Sequence, residues 1–139
     1  MERRAALRTL GALGCIGVAG CVSPPALGGV DYDVGMSANA FEPLLVEINV
    51  GETITWKNTG SRAHTVTAYE DSIPDEASFF ATGDFENEDQ ARHAWHHEEG
   101  GNLYGGETWR YTFEVPGMYS YFCVPHEPRG MVGQVEVTD

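Results

Sequence analysis

The sequence predicts an all-β fold, an antiparallel β-sandwich with one short helix or loop excursion. Short runs rich in β-branched and aromatic residues recur along the chain, turn residues punctuate them, and only residues 70–106 break the pattern. Leu44–Val50 reads as a strand ending at the turn Gly51-Glu52. Thr53–Trp56 follows and stops at Asn58-Thr59-Gly60. Ala63–Tyr69 continues with Thr and Val on alternate positions. Further on, Trp109, Tyr111, Phe113 and Val115 occupy one face of a period-two strand, and Trp56 and Trp109 are expected in the core. Pro116-Gly117 turns the chain into Met118–Val124, and Met131–Val137 closes the domain. The excursion holds many of the acids, three of the five histidines and several glycines. A short helix is expected over Asp84–His97, with Asp84 as N-cap and Phe85 and Ala91 turned inward.

The first thirty residues carry different signals. Arg3, Arg4 and Arg8 precede an apolar stretch from about Leu10 to Gly20, too short for a bilayer-spanning helix. Residues 1–20 are therefore expected to be a signal peptide, and the paired arginines suggest twin-arginine export. Val18-Ala19-Gly20-Cys21 resembles a lipobox, which would make Cys21 the lipid-bearing first mature residue. An ordinary signal cut nearby is the alternative. Residues 21–30, with Ser23-Pro24-Pro25 and Gly28-Gly29, read as a lipid-anchored flexible tether, and residues 31–139 as the folded domain.

The chain has 139 residues and a formal net charge of −13, with Lys57 its only lysine. From position 21 onward 20 acidic residues face 5 basic ones, a net charge of −15. Such a balance excludes nucleic acid as a partner, because phosphate binding needs clustered Lys and Arg. Self-repulsion opposes the compact state unless salt screens it, so a halophilic protein is expected. An acidic docking face for a basic partner is the rival reading. Three cysteines, two of them in the N-terminal run, rule out a disulfide framework and leave Cys123 as the domain's useful thiol.

Cys123, His126 and Met131 stand at the spacing C-x2-H-x4-M within Tyr119–Gly133. Thiolate, imidazole and thioether form a soft-leaning donor set, and copper accepts all three. A second histidine must then come from elsewhere, and His64, on a predicted strand, is the best candidate. His93, His96 and His97 are expected on a solvated helix, outside any metal site. Alone, Cys123 would read as a small buried hydrophobe and Met131 as packing; jointly the four donors point to copper.

The chain resembles the blue copper proteins, or cupredoxins, of the plastocyanin type, and looks most like the halocyanins of salt-loving archaea. The resemblance covers about residues 36–138. It rests on Val50–Asn58 (VGETITWKN), Ala63–Val66 (AHTV), Gly106-Glu107-Thr108, Phe113–Tyr119 (FEVPGMY) and the C-x2-H-x4-M loop. The resemblance implies a cupredoxin-like Greek-key sandwich with His64, Cys123, His126 and Met131 as ligands of one copper ion. It also implies one-electron transfer between Cu(I) and Cu(II), with electrons leaving through His126 flanked by Pro125 and Pro128. Related proteins often carry Asn just after the first ligand histidine, where this chain has Thr65. The expected function is a membrane-anchored carrier on the outer face of the cell membrane, between membrane-associated respiratory redox proteins. No small-molecule substrate and no enzyme activity are expected. A copper chaperone or store would use the same ligands, and a thiol enzyme would use Cys123 with His126 as base.

Overall fold

The computed structural model describes residues 31–139; the predicted signal peptide, Cys21 and the tether lie outside them. Among the described residues, eight strands and one α-helix run in the order β1 (Val34–Met36), β2 (Phe41–Glu42), β3 (Leu45–Asn49), β4 (Thr53–Asn58), β5 (Thr67–Ala68), α1 (Glu88–Glu98), β6 (Thr108–Thr112), β7 (Gly117–Phe122) and β8 (Val132–Thr138). They form two four-stranded sheets, ordered β2-β1-β4-β6 and β3-β8-β7-β5. The all-β sandwich with one short helix is thus the observed fold. Its sheets are mixed rather than wholly antiparallel, because β1 pairs with β4 and β3 with β8 in parallel.

Strand alternation builds the core. In β4, Ile54, Trp56 and Asn58 point inward while the residues between them are half exposed. In β8 the inward set is Gly133, Val135 and Val137. Trp56 meets Tyr121 of the opposite sheet edge to face at 5.5 Å, and Phe113 meets Tyr119 at 4.9 Å. Such pairs add about 0.5–1.5 kcal/mol each beyond the apolar area they bury. Gly133 is required by close approach: a Cβ there would stand 2.5 Å from the Tyr121 ring. Trp56 is fully buried, whereas Trp109 is only partly so, packed against Trp56 from the flank.

Two expectations need correction. Ala63–Tyr69 is not one continuous strand: only Thr67–Ala68 pairs with β7, and His64 makes an isolated bridge to Leu103. Every residue from His64 to Ala68 is buried, so alternation is lost. This segment is covered by the excursion, with backbone bonds from Ala68 N–H to Phe80 and from Thr82 N–H to Val66. The helix also starts later than Asp84. Asp84 adopts a left-handed φ of 58° directly after Gly83, and Asn87 is the N-cap, its Oδ1 accepting from the Gln90 N–H at 2.8 Å. Ala91 and Ala94 are the buried helical residues, while Phe85 lies before the helix and packs near Gly83, Gly100 and Gly101.

Candidate metal centre

Two segments meet where His64, Cys123 and His126 come together. β7 ends at Phe122, so Cys123 is the first residue beyond its last rung. Val124–Arg129 then winds as a 3-10 turn started by Pro125, and β8 begins just after Met131. Backbone bonds close this loop tightly. The Cys123 N–H donates to the Met131 carbonyl, the His126 N–H to the Cys123 carbonyl, and the Met131 N–H to the His126 carbonyl, at 3.1–3.2 Å. Gly130 ends the turn at φ 84°, a left-handed conformation that costs glycine little.

His64 reaches the loop from the connection between β4 and β5. Its backbone exchanges two hydrogen bonds with Leu103. Asn58, buried at the end of β4, sets that approach: its Nδ2 donates to the carbonyls of Arg62 and Leu103, and its Oδ1 accepts from the Gly60 N–H. The sequence marks Asn58 only as the turn residue that stops Thr53–Trp56, whereas β4 runs through it. The signal was its position: a polar residue on the inward phase of a strand whose other inward residues are Ile and Trp.

Cys123 Sγ lies 3.6 Å from His64 Nδ1 and 3.5 Å from His126 Nδ1, and the three donor atoms fall within 4.8 Å of one another. Among the described residues this is the cluster of metal-ligating side chains. Met131 is fully buried in the same apolar cluster as Cys123. His93, His96 and His97 stay exposed on α1, where His93 and His97 stack at 3.8 Å, away from the three-donor cluster.

Thr65, directly after His64, links this segment to Cys123 and Val124. Its N–H points at Cys123 Sγ at 3.4 Å, and its Oγ1 accepts from the Val124 N–H at 2.8 Å. The hydroxyl also shares a hydrogen bond with Thr67 at 3.2 Å. One residue thereby joins the His64 segment to the Cys123 loop, through backbone and side chain.

Burial sets the protonation of these groups. It lowers the pKa of His64 to about 4, with the nearby His126 adding to the effect, and lowers that of His126 as well. It raises the Cys123 thiol to about 11, although the Thr65 N–H pulls the other way. At neutral pH the pocket therefore presents two neutral imidazoles and a thiol that a cation must deprotonate. Two nitrogens and one sulfur, converging without a carboxylate, fit a copper ion better than a hard cation. The edges differ in access: His64 is fully buried, whereas His126 is 9% exposed, beside half-buried Pro125 and exposed Pro128.

A family model described as "Copper binding proteins, plastocyanin/azurin family" matches residues 29–138. Plastocyanin of Scenedesmus fuscus is 35% identical over 100 residues, covering 72% of this chain and 88% of that protein. Pseudoazurin of Methylobacterium extorquens AM1 superposes with a TM-score of 0.55 at 26% identity, covering 76% of this chain and 73% of that one. A copper-containing nitrite reductase from Thermus scotoductus superposes with a TM-score of 0.56 at 26% identity, but over only 22% of its own length.

Proposed function

The chain belongs to the plastocyanin/azurin family of copper-binding proteins, and from that premise we propose that it is a one-electron carrier with one copper ion held by His64, Cys123, His126 and Met131. The observation that carries this reading is the buried meeting of two imidazole nitrogens and one thiol sulfur within 4.8 Å. Bound copper supplies a one-electron couple, Cu(II)/Cu(I), and its charge stabilises the Cys123 thiolate against the burial that otherwise disfavours it. The protein's part is to keep the donors from moving. Asn58 and Leu103 fix His64, Thr65 fixes Cys123, and the backbone bonds of the 3-10 turn fix His126 relative to both. Met131, bonded through its backbone to Cys123 and His126, is the weak fourth ligand. A frame this constrained limits rearrangement between oxidation states.

Electrons pass through the His126 edge, framed by Pro125 and Pro128, since His64 has no surface of its own. The likeness to nitrite reductase spans about a fifth of that enzyme, so this chain is read as a carrier and not an enzyme. In this reading the carrier is halocyanin-like: it is exported, lipid-anchored at Cys21 of the lipobox-like Val18–Cys21 run on the outer membrane face, and trades electrons with membrane-associated respiratory proteins. The acidic composition suits concentrated salt.

Visible absorption of the copper-loaded protein tests the centre. An intense thiolate-to-copper charge-transfer band is expected, and it vanishes in Cys123→Ser. Its absence from the wild-type protein, or its survival in that variant, refutes the assignment. Mass analysis of the mature N-terminus tests the anchor, which requires a lipid on Cys21.

A further inference from the structure

Helix α1 belongs to neither sheet, yet one of its side chains reaches both flanks of the metal loop. The Arg92 guanidinium makes a two-pronged pair with Glu127, Nη1 to Oε1 at 2.7 Å and Nη2 to Oε2 at 3.2 Å. Glu127 is the residue after His126. The same guanidinium lies 4.3 Å from the centroid of the Phe122 ring, and Phe122 is the residue before Cys123. Tyr69 repeats the pattern: its hydroxyl donates to Glu127 Oε2 at 2.6 Å and its ring stacks on Phe122 at 4.3 Å.

Arg92 itself is held from behind. Glu88, one turn earlier on α1, accepts from Arg92 Nε at 2.9 Å and pairs with Nη2 at 2.7 Å. Glu88 is anchored in turn through reciprocal bonds with Glu70, each backbone N–H donating to the other's Oε1 at 2.9–3.0 Å. Solitary surface ion pairs contribute little. This one differs: its partners are part-buried, it is bidentate, and a cation–π contact backs it. A planar fork is needed to satisfy Glu127, Glu88 and the Phe122 face together, which lysine's point charge does not offer.

We propose that Arg92 is a positioning residue of the copper centre, fixing His126 through Glu127 and Cys123 through Phe122. The excursion between β5 and β6 is then a clamp on the ligand loop. The proposal takes copper occupancy from the reading above, and the two fail separately. A wild-type protein without the charge-transfer band defeats that reading, whereas a wild-type band indifferent to Arg92 defeats this one.

The test uses copper-loaded Arg92→Met, Arg92→Lys, Glu127→Gln and the Arg92→Met/Glu127→Gln double variant. Each is followed by copper hyperfine splitting, by the visible band, and by the rate of copper loss to a chelator. Arg92→Met is expected to shift the hyperfine splitting and to release copper about tenfold faster, as loss of one charge-assisted pair implies. Arg92→Lys keeps the charge but loses the fork, so the spectral shift persists. In the double variant the effects are less than additive, because both substitutions break one contact. Wild-type spectra and release rate in Arg92→Met overturn the proposal. So does full recovery in Arg92→Lys, which would leave only a charge effect, and so does strict additivity. Should Arg92→Met fail to fold, wild-type spectra in both Arg92→Lys and Glu127→Gln overturn it equally.

Discussion

Thr65→Val replaces a hydroxyl by a methyl of nearly the same shape, so its effect isolates the hydrogen bonds. The Thr65 side chain is 2% exposed, and the Val124 N–H that it accepts belongs to a residue 4% exposed. Valine leaves that N–H buried without an acceptor, which costs about 1–3 kcal/mol. Thr67 also loses a partner, but its hydroxyl can rotate, so the addition is small. The bond from the Thr65 N–H to Cys123 Sγ is untouched. A loss of about 2 kcal/mol is expected, equivalent to a melting-point drop of about 8–16 °C for a domain of roughly a hundred residues. Urea unfolding of the copper-free protein at fixed salt measures it. Thr67→Val is the control: it leaves the Val124 N–H satisfied and should cost less than about 1 kcal/mol. If Thr65→Val costs no more than Thr67→Val, the hydroxyl does not join the His64 segment to the Cys123 loop and the reasoning fails.

Three other outcomes are expected. In the copper-free protein, His64 has a pKa of about 4 folded against 6.5 in its ordinary state, so the unfolded chain binds the extra proton between those values and stability falls as pH drops from 6.5 to 4, by up to about 3 kcal/mol. Cys123 acts at the other end: raised from 9.0 to about 11, it makes stability fall as pH climbs through that interval, leaving a plateau between about 6.5 and 9. Urea midpoints that stay flat from pH 4 to 7 contradict the first half. Raising potassium chloride from about 0.1 to 1 M shortens the Debye length from about 10 to 3 Å and should raise the unfolding midpoint of this net −13 chain; a lower midpoint would mean self-repulsion is not the dominant charge effect. Gly133→Ala sets a Cβ 2.5 Å from a Tyr121 ring already wedged against Trp56 and Phe41, and calorimetry should show a loss of about 1–3 kcal/mol.

Local chemistry made much of this legible in advance. The alternation of Thr53–Trp56 and of Met131–Val137 identified β4 and β8, and the C-x2-H-x4-M spacing singled out the loop that supplies Cys123 and His126. Pairing partners were not legible. Val34-Gly35-Met36 is three residues long and buried throughout, so β1 shows no alternation to detect. The register of β3 beside β8 joins segments about ninety residues apart, which no local pattern encodes. The segment around His64 kept its place in the site but not its strand, because its neighbours are excursion loops rather than a sheet. Arg92 gave no sign at all: its partner lies 35 positions away, and an arginine on an acidic helix reads as solvated.

The donors differ in how far the chain must travel to bring them together. Cys123 and His126 are 3 positions apart, and nine residues of one connection between adjacent strands fix them; His64 is 59 positions from Cys123. Closing the longer loop costs about 2.6 kcal/mol more in chain entropy by logarithmic scaling. The shared core of the two sheets offsets that cost. Loosening along the seam that seats His64 will therefore reach the centre as the departure of a single imidazole, while the sulfur and its near neighbour stay in register.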